Sequence, residues 1–160
     1  MRIEFLADHP QHALTLARWH HREWGPLMRD WSHGDAEREL TGHATRRTIP
    51  TTLVLLDADD ALLGSVSLLD EDASQFRELS PWLANLFVAP PARGRGLGAG
   101  LVAAAQDLAR TLGVTRLYLF TPRHVGFYQR LGWQLLGERL LDAQPVSLMA
   151  IELAPLDRAP

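Results

Sequence analysis

The stretch Leu86-Phe87-Val88-Ala89-Pro90-Pro91-Ala92-Arg93-Gly94-Arg95-Gly96-Leu97-Gly98-Ala99-Gly100-Leu101 decides the fold. Leu86 to Val88 are apolar and β-prone, and read as the end of a strand. Pro90 and Pro91 lack N–H donors and stop its ladder. Gly94, Gly96, Gly98 and Gly100 then alternate with larger residues. Glycines let the backbone turn sharply and let a ligand approach main-chain amides closely. A helix opens near Leu97, and its first N–H groups have no partner within the helix. With Arg93 and Arg95 beside them, these amides form a pyrophosphate site.

Two kinds of loop have this form. Gly94-x-Gly96-x-x-Ala99 fits the dinucleotide fingerprint GxGxxG/A, which also requires an acid about 20 residues further on. Here the next strand ends Leu119-Phe120-Thr121, with no acid. Arg93-Gly94-Arg95-Gly96-Leu97-Gly98 meets the other pattern, [Arg/Gln]-x-x-Gly-x-[Gly/Ala]. It resembles the pyrophosphate loop of the GNAT superfamily of N-acetyltransferases. A second segment, Phe127-Tyr128-Gln129-Arg130-Leu131-Gly132-Trp133, is similar to that family's [Phe/Leu]-Tyr-x-x-x-Gly-[Phe/Tyr/Trp] segment.

The resemblance implies an acyl-CoA-dependent N-acyltransferase whose cofactor is acetyl-CoA. Arg93, Gly94, Arg95, Gly96, Leu97 and Gly98 would hold the pyrophosphate. In many members the central strand bulges or splays, so that its backbone pairs with the pantetheine like an added strand. Phe87, Val88 and Ala89 would supply those groups, with the Val88 N–H on the thioester carbonyl. Thr121, His124, Phe127 and Tyr128 would also lie along the cofactor, Thr121 standing where the family often has Asn. Tyr128 takes the role of general acid to the leaving thiolate. Read from the residues alone, Phe127 and Trp133 are core, and Gly132 is a left-handed helix stop. The general base stays open. Ser80 to Asn85 carries no carboxylate where some relatives place a Glu. The candidates are Glu78, Asp70, Asp72, His21, or a water chain held by Asn85.

Composition narrows the function. At 160 residues the chain is expected to form one domain over 1–154, with a tail over 155–160. No apolar run approaches the ~20 residues of a membrane span. The start, Met1-Arg2-Ile3-Glu4-Phe5, is unlike a signal peptide, so cytoplasm is the expected location. There is no cysteine, hence no thiol nucleophile or thiolate metal ligand. A direct attack of the amine in a ternary complex therefore fits better than ping-pong transfer. A net charge of −3 argues against a nucleic-acid binder. All 16 basic residues are Arg, read as genomic composition bias. The seven histidines show no ligand spacing, and no metal is expected.

Charge is unevenly spread. Residues 57–78 hold Asp57, Asp59, Asp60, Asp70, Glu71, Asp72 and Glu78 against Arg77 alone. Residues 93–130 hold six arginines against Asp107 alone. The basic half suits a phosphorylated cofactor and the acidic half a cationic acceptor. Trp19, Trp24 and Trp31 cluster near the first helix, where aromatic walls suit a cationic or an apolar acceptor. The expected acceptor is a primary amine, on a small molecule or a peptide, contacted by Trp24, Asp70, Asp72 and Asn85. Alternatives are acetylation of protein N-termini or lysines, and a CoA-binding sensor without turnover. Monomer and homodimer both stay open.

Periodicity and punctuation predict the rest. Arg2 to Ala7 is a strand, and Asp8 caps a helix with Pro10 in its first turn. Ser32-His33-Gly34-Asp35 is a capping box opening a second helix, with Ala36, Leu40, Ala44 and Arg47 facing inward. Strands follow over 51–56 and 62–69 about the turn Asp57 to Asp60, then an acidic loop and a strand over 82–88. A helix over 97–112, a strand over 115–121, a helix over 123–131 and strands over 133–139 and 146–153 complete the chain. The fold class is α/β (α+β), a mixed, centrally splayed sheet with helices on both faces in the order βααβββαβαββ. The strand–helix–strand unit around 83–121 implies a parallel pair, and hairpins on either side imply antiparallel pairing.

Overall fold

The computed structural model describes residues 1–28 and 30–155. Its elements follow the expected order: β1 (Arg2–Phe5), α1 (Ala13–Trp24), α2 (His33–Gly42), β2 (Thr51–Leu56), β3 (Leu62–Leu69), β4 (Trp82–Val88), α3 (Leu97–Thr111), β5 (Arg116–Thr121), α4 (Val125–Arg130), β6 (Gln134–Leu141) and β7 (Gln144–Glu152). One seven-stranded sheet runs β1-β2-β3-β4-β5-β7-β6. Only β4 and β5 pair in parallel, and they pair only at Trp82 opposite Tyr118. Beyond that point the two strands part, and the gap between them widens toward Val88 and Thr121.

The two-residue period of the strands explains both layers. Leu53 and Leu55 of β2 and Val66 and Leu68 of β3 point to one face, where α3 buries Leu101, Val102, Ala105 and Ala109 on them. Val54 and Leu56 point to the other face and meet Leu16 and Ala17 of α1 and Ala36 and Leu40 of α2. Fully burying one such Leu contributes about 1.5–3 kcal/mol, so these contacts hold the helices in place more than helix propensity does. A third cluster forms from residues of β3, β4, β5, β6 and β7 and of the acidic loop. Phe76, from a short turn in the acidic loop, packs with Trp82 and Phe120.

The capping box forms as expected. The Ser32 hydroxyl accepts from the Asp35 N–H at 3.0 Å, and the Asp35 carboxylate accepts from the Ser32 N–H at 2.8 Å. Asp8 does not cap α1. The chain leaves β1 through two 3-10 turns, and α1 starts at Ala13 behind His12. The Asp8 carboxylate instead takes the guanidinium of Arg46, a contact across 38 residues. The inner face of α2 is also shorter than expected. The helix ends at Gly42, so Ala44 lies beyond it, and Arg47 is exposed with φ +51°. β6 and β7 are tighter than their pattern suggested, joined by Asp142 and Ala143, both at positive φ. Of the expected tail, residues 156–160 lie outside the described residues. Among the described residues no helix is long and apolar enough to cross a membrane.

The centre of the sheet holds one irregularity. Ser67 faces Ala84 and Ser65 faces Phe87, so Val66 stands opposite two residues, Asn85 and Leu86. This is a β-bulge on β4, with Asn85 at φ +54°.

Candidate active site

The bulge determines which amides reach the gap. The Ala89 N–H donates to Leu63 O at 2.8 Å. Alternation along an antiparallel pair then directs the Phe87 groups to Ser65 and turns those of Val88 away from β3. The expectation that Phe87, Val88 and Ala89 all offer backbone groups therefore narrows to Val88. Phe87 and Ala89 spend their N–H groups in the ladder. The Val88 carbonyl accepts from Arg93 Nε at 2.8 Å, which leaves its N–H facing the gap. The Phe87 side chain also turns away from the gap and packs against Trp19, His20 and Trp24 of α1.

The Arg/Gly loop lies at the wide end. Gly94 and Gly96 sit at φ +78° and +74°, in the left-handed region that favours glycine. The Gly100 N–H bonds to Gly96 O at 3.3 Å. The amides of Leu97, Gly98 and Ala99 come before that first helical bond and have no partner within the helix. A Cβ on Gly98 would lie 3.5 Å from the Phe127 ring and 4.0 Å from Val88 Cγ2. The loop, β4 and α4 thus meet closely. Arg93 folds back over the Phe87 ring, 5.4 Å from its centroid, and Arg95 is exposed at the loop surface. Open amides, a helix N-terminus and two guanidiniums are the donor set a pyrophosphate requires, so these residues fit the cofactor.

Across the gap, Thr121 Oγ1 accepts from the His124 N–H at 3.1 Å and so fixes the start of α4. This places Tyr128 at the gap, buried against Phe127 and Trp133. Burial pushes its phenol up to about 12. Gly132, at φ +96°, turns the chain from α4 into β6.

Between β4 and β5, toward α2, opens a cleft of about 250 Å³. Asn85, Leu86, Thr121, His124 and Tyr128 form its floor, and Trp24 and Trp31 form a wall. Asp72 lines it and Asp70 does not. Asp70 closes its own loop: its carboxylate accepts the Glu71 N–H, and its carbonyl accepts the Ser80 hydroxyl. Glu78 and His21 are not part of the lining either, and His21 Nε2 lies 3.0 Å from Trp31 O. Three titratable lining residues were not anticipated as site residues: Glu39, His43 and Glu71. Glu39 and His43 stand four apart, one helical turn, and that spacing was the available signal.

The cleft favours uptake of a proton at Asp72. Burial, reinforced by the nearby Glu39 carboxylate, raises the Asp72 carboxyl to about 7. Glu39 is raised too, chiefly by burial, although it accepts the Trp31 indole N–H at 3.0 Å. Burial lowers His43, which keeps its ring neutral, and its Nδ1 has no partner among the described residues. Among the described residues no three His, Asp or Glu side chains come together as metal ligands.

The sequence model of the acetyltransferase (GNAT) family matches residues 14–133. Among solved structures, the chain is similar to an aminoglycoside 6'-N-acetyltransferase complexed with coenzyme A, at 17% identity over 99% of this chain and 100% of that one, with a TM-score of 0.75. It is similar to aminoglycoside 6'-acetyltransferase type Ii, at 19% identity over 97% and 99%, TM-score 0.73. A third is the aminoglycoside 6'-N-acetyltransferase of Enterococcus faecium, at 18% identity over 99% and 100%, TM-score 0.70. At these identities the likeness shows the fold alone. No curated protein sequence matches the chain.

Proposed function

The chain belongs to the acetyltransferase (GNAT) family, and from that premise we propose that it moves an acetyl group from acetyl-CoA to a cationic primary amine, by direct attack in a ternary complex. The observation that carries this reading is the cleft itself. It brings Glu39 and Asp72, two tryptophans and Tyr128 to the same gap that the Val88 N–H faces. We take residues 1–154 as the transferase unit.

When bound, acetyl-CoA supplies the acetyl group as an activated thioester. Each nearby group of this chain then has a stated task. Trp24 and Trp31 bound the acceptor with aromatic faces that attract a cation. Glu39 and Glu71 add negative charge that draws an ammonium into the cleft. Asp72, as carboxylate, takes one proton from that ammonium at Oδ and frees the nitrogen lone pair. The Val88 N–H donates to the carbonyl oxygen, where charge grows during attack. Tyr128 Oη holds its proton at neutral pH and delivers it to the sulfur as the C–S bond breaks. The second proton shed by the nitrogen restores the phenol, so protons balance.

The test is thiol release from acetyl-CoA by the purified protein across a panel of amines. Release that depends on a cationic amine is the expected result. Acetyl-CoA binding without acceptor-dependent release would make the protein a sensor. A preferred anionic acceptor would remove the acidic cleft as the acceptor site.

A further inference from the structure

We propose that the buried chain His20–Ser65–Asn85–Ser67 is a positioning device, which holds the β4 bulge in the register that turns the Val88 N–H into the gap. It rests on the reading of Val88 as donor to the thioester carbonyl.

The hydrogen bonds run in one direction. The Ser65 hydroxyl donates to Asn85 O at 2.9 Å. Its oxygen therefore accepts at the other contact, from His20 Nε2 at 2.9 Å, and His20 carries its proton on Nε2. Asn85 Nδ2 donates to Ser67 Oγ at 3.1 Å, and Ser67 in turn bonds Thr52 at 2.7 Å. The bulged residue is thus tied to β3 twice, by its carbonyl to Ser65 and by its side chain to Ser67. These are the two neighbours of Val66, the residue the bulge faces.

The residue types are informative. His20 of α1 and Thr52, Ser65 and Ser67 of the sheet are at most 2% exposed, beside the apolar cluster that includes Leu16, Val54 and Leu56. A buried polar group is costly unless it is bonded, and an apolar residue would pack there as well. Here four polar side chains converge on one non-glycine residue in the left-handed region, a conformation that needs outside support. Burial, with a smaller effect of His43, lowers the His20 ring to about 3, so it stays a neutral N–H donor down to mild acid.

The bulge matters because one residue of register changes the fate of the Val88 amide. Continuing the Ser67–Ala84 register without the extra residue would set Leu63 opposite Val88. The Leu63 carbonyl points at β4, where it accepts the Ala89 N–H. In that register it would accept the Val88 N–H, and the amides turned to the gap would be those of Phe87 and Ala89, each one residue away from the place of Val88. His20, Ser65 and Ser67 do not line the cleft, whereas Asn85 does, so they act through Asn85.

The experiment uses the full chain with Ser65→Ala, His20→Leu and His20→Gln, the last keeping an N–H donor. Backbone amide shifts of Asn85 to Val88 are read without substrates, and kcat, acetyl-CoA affinity and melting are measured on the same samples. Ser65→Ala and His20→Leu should move those shifts and lower kcat about 10-fold or more, as misplacement of a reacting group does. Acetyl-CoA affinity should hold within about 2-fold, so the loss falls on kcat. His20→Gln should return kcat to within about 3-fold of wild type. Should Ser65→Ala fail to fold, the Leu and Gln variants of His20 decide alone. Unmoved shifts in His20→Leu overturn the device. Moved shifts with full kcat overturn the role of Val88 on which it rests. A His20→Gln protein as slow as His20→Leu shows that packing, not the hydrogen bond, is what His20 supplies, and overturns the proposal.

Discussion

Gly64 and Val88 face each other across β3 and β4 as a pair without mutual hydrogen bonds. The approach is close enough that a Cβ on Gly64 would lie 2.5 Å from Phe87 O. That contact is backbone, so no side chain can swing aside. Gly64→Ala must therefore push β4 away from β3 at the point where Val88 is aimed. Overpacking of this kind costs about 1–3 kcal/mol. Urea unfolding should show a loss in that range, together with a fall in kcat. Unchanged stability would mean that β4 yields freely there.

The cofactor loop makes a second claim. Acetyl-CoA at about 100-fold over its Kd should stabilise the wild-type protein by about 2.7 kcal/mol, and NAD should not. A Cβ on Gly96 meets no protein atom within 4 Å, yet φ is +74° there. Gly96→Val thus harms the loop through backbone strain and by intruding on the ligand, not by a clash in the fold. The variant should fold and lose the acetyl-CoA stabilisation. Equal stabilisation by NAD would return the loop to the dinucleotide reading.

Tyr128→Phe keeps the ring packed on Phe127 and Trp133 and removes only the hydroxyl. With its phenol pushed up to about 12, Tyr128 is a proton donor throughout the neutral range. A positioned donor is worth ~10²–10⁴ in rate. The expected result is a kcat lower by about 10²-fold or more, with acetyl-CoA affinity and melting temperature nearly unchanged. A variant keeping more than about a third of wild-type kcat would assign the proton to water.

Asp72 predicts two pH effects of opposite kind. As the base it must be ionised, so kcat/KM should rise through about pH 7. Its folded value also lies above its ordinary value of 3.8, so the native state holds a proton that the unfolded chain has released. Stability should therefore fall as pH rises from about 4 to about 7, and stay lower above that. Asp72→Asn cannot ionise. It should flatten the part of the rate profile due to Asp72, raise the acceptor KM, and melt higher than wild type at alkaline pH. Asp70→Asn, outside the cleft, should leave the acceptor KM in place. Equal effects of the two substitutions would point to the general charge of the loop.

Local rules settle local structure. Ser32 and Asp35 form their reciprocal cap because both partners lie within one turn of chain. The run from Leu86 to Leu101 becomes strand, loop and helix because proline, glycine and apolar spacing act over a few residues. The element order and the mixed sheet followed from these signals, and the Arg/Gly pattern identified the family. Contacts across long stretches of chain followed no such rule. Asp8 looked like a cap and became the partner of Arg46. Asp70 and Asp72 were indistinguishable in sequence, yet only Asp72 turns into the cleft. Glu39 of α2 and His43 just beyond it reach the site because α2 packs on Val54 and Leu56 of β2, a contact between separate stretches of chain. The bulge is the clearest case: one extra residue opposite Val66 is invisible in a run of strand-forming residues, and Ser65, which bonds the Asn85 carbonyl, bonds in turn to His20, 45 positions away. Sequence alone determined which elements form and in what order, and its Arg/Gly pattern pointed to the family, since those depend on neighbours in the chain. The tertiary structure decided which carboxylates share a cleft and which amide faces the gap, since burial and register exist only between strands and helices brought together by folding.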